Sequence, residues 1–297
     1  MTSNQSPLRG VFTALVTPMN RDGSLDFGAL DALVDGQLAA GIAGLVPCGT
    51  TGEAATMTSD ERAQVVSRVV KRVAGRAAVI AGTGVNSTAE SIALQRRAKE
   101  LGATHGLVVT PYYNKPSPEG LYRHYAAIAE AVELPIIAYN VPGRTGCDLK
   151  PDTLCRVAKL PRVVGVKEAT ADLDRVALIR NGAGPSFTLL SGDDGTCCPF
   201  TLVGGDGVIS VASNFAPKEM VAMIQAALEG EVATAREHHL RLRDMMQALF
   251  LESNPIPVKA ALAMKGLIEE HYRLPLCEMS GENRRKLEGV LRHGGFL

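Results

Sequence analysis

Val163-Val164-Gly165-Val166-Lys167-Glu168 is an apolar run that ends on a lysine and a glutamate. It is too short for a helix, and its β-branched content reads as a strand buried on both faces, the kind that fills a parallel sheet. Val163 to Lys167 is the sixth of eight such runs. The others are Val11 to Thr17, Gly44 to Cys48, Val79 to Gly82, Gly106 to Thr110, Pro135 to Tyr139, Phe187 to Ser191 and Gly207 to Val211. A plausible helix follows each one. Eight strand–helix units in a row predict an α/β chain folded as a closed (β/α)8 TIM barrel.

Working outward, 297 residues of 46% hydrophobic content are ample for one core of this kind. Residues 1–230 are assigned to the barrel. Residues 231–297 carry further helical pattern, from Glu231 to Leu251 and Val258 to Glu269, and are expected as a C-terminal helical extension packed on the barrel in a single unit. Asn254-Pro255-Ile256-Pro257 predicts a break between two of its helices, because proline lacks an amide and disfavours α geometry in the residue before it. Thr58 with Glu61 and Ser87 with Glu90 fit capping boxes, and Ser117-Pro118 fits an N-cap followed by N1.

Lys and Arg together number 31, as do Asp and Glu, for a formal net charge of +0 without a basic block. That balance gives no electrostatic reason to expect nucleic acid or an anionic membrane as partner. Met1 to Gly10 is polar and lacks the apolar stretch of a signal peptide, and no later run approaches the roughly 18 apolar residues of a membrane span. A cytoplasmic chain is expected. Cys48, Cys147, Cys155, Cys197, Cys198 and Cys277 form no CxxC pair and have no histidine at zinc-type spacing. Reduced, mostly packed thiols and no metal are the expectation.

In a parallel barrel, chemistry collects at the carboxyl ends of the strands. Lys167 stands at such an end, where it can project into the barrel mouth. Burial favours a neutral amine, the form that attacks a carbonyl carbon to make a Schiff base. An ion pair with a rim carboxylate is the alternative role. After the second strand, Gly49-Thr50-Thr51-Gly52-Glu53 offers turn amides and two hydroxyls suited to a carboxylate ligand. It lacks the Gly-Lys-Ser/Thr of a P-loop, and its alternative is a tight turn that uses glycine for positive φ. Gly82-Thr83-Gly84 is read as packing.

Ser191-Gly192-Asp193-Asp194 ends the seventh strand with paired carboxylates, which argue against a phosphorylated substrate. Tyr113 follows the fourth strand and Tyr139 ends the fifth. Phenol and threonine hydroxyls both donate and accept protons, so these tyrosines and Thr50 are candidates for a relay, or else walls of a pocket. Arg144, in Gly143-Arg144-Thr145-Gly146, is placed to clamp a second carboxylate, with a solvent-facing loop arginine as the alternative.

Gly49-Thr50-Thr51-Gly52-Glu53, Tyr139-Asn140-Val141-Pro142-Gly143-Arg144-Thr145-Gly146 and Gly165-Val166-Lys167-Glu168-Ala169 occur in this order. With them the chain resembles the dihydrodipicolinate synthase / N-acetylneuraminate lyase family. The match runs from Val11 through Asn254-Pro255-Ile256-Pro257-Val258-Lys259. The resemblance implies a lyase of the diaminopimelate route to lysine that condenses pyruvate with L-aspartate 4-semialdehyde, without metal or organic cofactor. It implies Lys167 as the covalent amine, Thr51 with the turn amides as holder of the pyruvate carboxylate, and Tyr139, Thr50 and Tyr113 as the relay. Arg144 is implied to bind the semialdehyde carboxylate, and Gly192 and Ile209 to meet pyruvate through their backbones.

The resemblance further implies that Tyr113 completes a neighbour's site, so that the unit is at least a dimer and commonly a homotetramer, a dimer of dimers. Asn86, Glu90 and Tyr112 match the family's feedback site for lysine. Ser59 and Arg62 stand where strongly inhibited members often have histidine or another polar partner, and Glu90 is already used in its capping box, so weak or absent inhibition is expected. Family members divide over the second substrate. The alternatives are a catabolic class I pyruvate aldolase acting on 2-keto-3-deoxy sugar acids, 4-hydroxy-2-oxoglutarate or N-acetylneuraminate, and, outside catalysis, a silent 2-oxo acid sensor. Arg144 separates the synthase from sialic acid lyases, which generally lack it. Lys167, Tyr139, Thr50 and Tyr113 together argue against a sensor.

Overall fold

The computed structural model describes residues 8–297. Strands β1 (Gly10–Ala14), β2 (Gly44–Val46), β3 (Ala78–Gly82), β4 (His105–Val109), β5 (Ile136–Asn140), β6 (Val163–Glu168), β7 (Thr188–Ser191) and β8 (Gly207–Ser210) close a barrel in chain order. All neighbours are parallel, and β8 pairs back onto β1. The eight expected runs thus form the eight strands of a TIM barrel.

Their ends differ from expectation for local reasons. β1 stops at Ala14 rather than Thr17 because loops take over its hydrogen bonds. The Val16 amide donates to Asn214 Oδ1 and the Thr17 hydroxyl to the Gly52 carbonyl. β2 stops at Val46 because the chain turns at Cys48, whose φ is 56°. β8 stops at Ser210 because the Val211 and Ala212 amides donate to Asp194 Oδ2. β5 and β6 each run one residue further than expected, to Asn140 and Glu168.

The barrel helices are α1 (Phe27–Ala39), α2 (Ser59–Val73), α3 (Thr88–Glu100), α4 (Pro118–Ala131), the short α5 (Pro142–Thr145), α6 (Pro151–Val157), α7 (Asp174–Ala183), α8 (Cys197–Leu202) and α9 (Pro217–Leu228). Thr58 and Glu61 form the full capping box of α2. At α3 only half of the expected box is present. Ser87 Oγ accepts from the Glu90 amide, while the Glu90 side chain is exposed and makes no return bond among the described residues. Ser117 caps α4 with Pro118 in its first turn, as expected.

Three helices follow the barrel: α10 (Val232–Ala248), α11 (Ile256–Met264) and α12 (Gly281–His293). The Asn254-to-Pro257 break falls between α10 and α11, but α11 starts two residues before its expected start. Pro257 sits in its first turn, where a missing amide breaks no helical bond. Leu242 and Met245 of α10 and Leu287 of α12 belong to the same buried apolar cluster as Val11, Leu45 and Val208 of the barrel. Gly82 is a packing glycine, since a Cβ there falls 2.0 Å from the Cys48 carbonyl oxygen.

Candidate active site

Register and alternation build the site. On adjacent strands Tyr139 stands beside Lys167, and Asn140 beside Glu168. Successive strand residues face opposite sides, so Lys167 and Tyr139 turn into the barrel mouth while Asn140 and Glu168 turn out toward α7. Both inward side chains are buried, and Lys167 Nζ lies 4.4 Å from the centroid of the Tyr139 ring. The rim cations that pair with carboxylates here are Arg175 and Lys259 rather than Lys167.

Behind this pair is a polar network. Asn140 Nδ2 donates to both Glu168 oxygens, at 3.2 and 3.1 Å, and to Asp148 Oδ1 at 3.0 Å. Asn140 Oδ1 accepts from the Leu149 amide. Arg175 grips Asp148 with two nitrogens, at 2.9 and 2.6 Å, and comes within 3.6 Å of Glu168. Burial pushes the Glu168 carboxyl up against the opposing pull of Asn140, Thr170 and Arg175, whereas the Arg175 hydrogen bonds hold Asp148 down. The network locks the backbone on which Tyr139 and Lys167 are carried.

The alternative reading of the Gly49-to-Glu53 turn, glycine placed for positive φ, does not hold. Positive φ falls at Cys48 and Glu53, both 56°, and not at either glycine. Gly52 is needed for close approach instead, because a Cβ there meets the Cys48 amide and the Leu15 carbonyl at 3.1 Å. The Gly52 and Glu53 amides bond back to Gly49 and Thr50 within the turn. Among the described residues the Thr50 and Thr51 amides make no such bond, so they are the donors left for a ligand. Thr51 is buried and Thr50 is more open.

Thr50, Thr51, Tyr139, Arg144, Lys167 and Gly192 line one cavity of about 180 Å³. A larger groove of about 500 Å³ beside Phe27, Arg68 and Arg97 is open to solvent and touches none of them. Gly192 is required by shape, because a Cβ there falls 3.0 Å from Lys167 Cε and 2.6 Å from Ala169 Cβ. Arg144 reaches the cavity from α5, with Nη2 3.3 Å from the Asn254 carbonyl oxygen.

The expected acidic pair at the end of β7 separates. Asp193 lines the cavity and accepts from Thr196, whereas Asp194 turns into the protein to hold the start of the chain after β8. Burial raises the Asp194 carboxyl.

Ile209 is buried in β8 and is not a cavity wall. Tyr113 is 89% exposed, at a φ of 71°, on the loop between β4 and α4. Asn86, Glu90 and Tyr112 also lie outside the cavity, with the Asn86 carbonyl accepting from Asn114 Nδ2. Two features escaped sequence reasoning. Asn254, read only as part of the break between two helices, lines the cavity and donates through Nδ2 to Thr51 Oγ1 at 2.9 Å. Glu53 and Lys259 form a buried ion pair. The Asn-Pro-Ile-Pro string was the one available signal, and it marks a break without indicating what the asparagine touches.

A closed barrel whose sixth strand presents a buried lysine beside a tyrosine, a hydroxyl-bearing turn and an arginine has the form of a lyase that works through a Schiff base. The chain belongs to the dihydrodipicolinate synthetase family, whose profile matches residues 7–294. It is 51% identical over 290 residues to the 4-hydroxy-tetrahydrodipicolinate synthase of Methylococcus capsulatus, covering 98% of this chain and 100% of that one. The crystal structure of dihydrodipicolinate synthase from Aquifex aeolicus superposes with a TM-score of 0.95 at 46% identity, covering 97% and 98% of the two chains. The Acinetobacter baumannii dihydrodipicolinate synthase, solved with pyruvate, gives 0.96 at 45% identity, covering 98% and 100%.

Proposed function

We propose that this chain condenses pyruvate with L-aspartate 4-semialdehyde as a 4-hydroxy-tetrahydrodipicolinate synthase, in the diaminopimelate route to lysine. The observation that carries the reading is that Lys167 and Arg144 line one cavity, a covalent amine and a carboxylate clamp within reach of one small substrate pair. Relatives of about half identity that bear this name support it.

Lys167 Nζ adds to the ketone carbon of pyruvate, and loss of water leaves an iminium. The positive nitrogen withdraws electrons, a methyl proton leaves, and an enamine forms. Its electron pair attacks the aldehyde carbon, whose oxygen takes up a proton to become the hydroxyl. The amine of the second substrate then adds to the iminium carbon and expels Lys167, closing the ring. The iminium is the electron sink, so the proposed cycle uses no metal or organic cofactor. Thr51 and the Thr50 and Thr51 amides hold the pyruvate carboxylate, and Arg144 holds that of the semialdehyde. Tyr139, Thr50 and Tyr113 move the protons, while Gly192 meets pyruvate through its backbone; Ile209, behind the cavity wall, is given no contact with it.

Tyr113 is too exposed to act within its own chain, and this supports a role in the site of a second copy. The working unit is then at least a dimer, built into a homotetramer as a dimer of dimers. The enzyme is read as cytoplasmic from its biosynthetic relatives; no helix among the described residues is long and apolar enough to cross a membrane. Residues 231–297 are read as an extension of the 1–230 barrel on the strength of their shared apolar cluster. Borohydride reduction with pyruvate followed by mass spectrometry tests the chemistry, and assay with L-aspartate 4-semialdehyde and with sialic acid tests the substrate. Adduct on Lys167 with semialdehyde turnover is expected. Adduct without that turnover moves the chain to the catabolic aldolases, and no adduct removes the mechanism.

A further inference from the structure

We infer that Asn254 is a positioning residue that fixes the Thr51 hydroxyl as a hydrogen-bond donor toward the pyruvate carboxylate. The inference rests on the proposed role of Thr51. Asn254 lies between α10 and α11, is 93% buried by its 7% exposure, and lines the cavity that contains Lys167. Its Nδ2 donates to Thr51 Oγ1 at 2.9 Å. A hydroxyl has one proton and two acceptor positions. With an amide donor occupying one acceptor position, the Thr51 proton is directed elsewhere, and no acceptor for it is found among the described residues. A carboxylate only accepts, so a threonine held in this sense matches the ligand proposed for it.

A second observation separates this role from packing. Asn254 Oδ1 is buried without a hydrogen-bond partner among the described residues. A buried orphan carbonyl destabilises a fold, and an apolar side chain of similar size avoids that penalty. The position therefore carries an amide at a cost to stability, and the Thr51 contact is the amide's one hydrogen bond among the described residues. The backbone of the same residue provides an internal control. The Asn254 carbonyl accepts from Arg144 Nη2 at 3.3 Å, a contact that side-chain substitution leaves in place. Asn254 side-chain variants thus bear on pyruvate more than on the second substrate.

The test is a double-mutant cycle on the full chain, reading the pyruvate concentration that half-saturates borohydride trapping. Asn254→Ala is expected to raise it roughly tenfold, as the Thr51 hydroxyl loses its fixed direction toward a charged group, and to raise KM for pyruvate more than KM for the semialdehyde. In a Thr51→Val background the same substitution is expected to add nothing. Asn254→Asp, which cannot donate to Thr51, is expected to be at least as impaired. Thermal melting is measured in parallel, and Asn254→Ser supplies a second variant should alanine fail to fold. Additive effects in the cycle, or unchanged half-saturation in a folded variant, overturn the inference while leaving the Lys167 adduct intact. Failure of the unsubstituted protein to form that adduct overturns the proposed function and this inference together.

Discussion

Lys259 Nζ lies 2.5 Å from Glu53 Oε1, and both side chains are shut off from solvent. Glu53 ends the turn that carries Thr50 and Thr51, and Lys259 belongs to α11, so the pair joins the cavity floor to the C-terminal helices. Burial draws Lys259 down and Glu53 pulls it back up. Two charges withdrawn from water gain little over a well-packed apolar pair, but one left alone is costly. Lys259→Met is expected to lower unfolding stability by about 3–5 kcal/mol and to weaken pyruvate trapping. Glu53→Leu combined with Lys259→Met is expected to recover much of the stability. Denaturant unfolding of the single and double variants reads this, and equal losses in the single and double variants contradict it.

Lys167 and Arg144 line one cavity but act on different substrates in the proposed cycle. Lys167→Ala is expected to abolish both the borohydride adduct and turnover. Arg144→Ala is expected to keep the adduct and to lose kcat/KM for the semialdehyde by about two orders of magnitude, as follows from removing a paired charged contact. Steady-state kinetics with several aldehyde acceptors distinguishes the roles. Equal losses for acceptors with and without a carboxylate would falsify the clamp.

Much of this site was legible in the sequence, for a physical reason. An apolar strand that ends on lysine, as Val163 to Lys167 does, has few places to put the charge other than the barrel mouth. The strand ends were not legible, because contacts distant in sequence set them. The Val16 amide is met by Asn214 and the Val211 amide by Asp194. Asn254 was hidden for the same reason, since its partner Thr51 is 203 residues away. The separation of Asp193 from Asp194 depends on a turn whose side-chain directions no local pattern fixes.

His105 and His124 are both held down to about 4 by burial, from an ordinary value near 6.5. The folded state therefore favours neutral rings, and the unfolded chain takes up protons first as pH falls below 6.5. Their stabilisation is complete above that value and declines toward pH 4, by up to about 3 kcal/mol for each ring. Glu61 behaves in a later window. Its hydrogen bonds with Arg273 hold it at about 2, so its contribution is present above pH 4.5 and is lost as pH falls through 2. Melting temperature is expected to drop between pH 6.5 and 5, and the slope to flatten in His105→Gln and His124→Gln. An unchanged slope in both variants assigns the acid sensitivity to other groups.

Glu90 is freer than the sequence implied, since its carboxylate makes no capping bond. Arg62, by contrast, is engaged with the Gly82 carbonyl at 2.8 Å. With Ser59 and Arg62 where strongly inhibited relatives often carry histidine or another polar partner, free lysine is expected to inhibit only above the millimolar range. Initial rates at rising lysine concentration read this directly. A sub-millimolar inhibition constant shows that Asn86, Glu90 and Tyr112 suffice for binding.

Gly192 offers the sharpest steric test of where Lys167 must lie. A Cβ added there meets Lys167 Cε at 3.0 Å and Ala169 Cβ at 2.6 Å. The lysine stem is flexible, whereas the strand that carries it is fixed by the Asn140, Glu168 and Arg175 network. Gly192→Ala is therefore expected to displace the amine and, because Ala169 Cβ cannot turn aside, to shift the chain that follows β6 as well. Misplacement of a reacting group by about 1 Å costs on the order of a hundredfold in rate, so trapping of pyruvate should slow by that order, with melting temperature lowered by the overlap at Ala169. Gly192→Ala that melts normally and traps pyruvate at the unsubstituted rate would mean that the amine attacks from a position other than the one it occupies in the resting site.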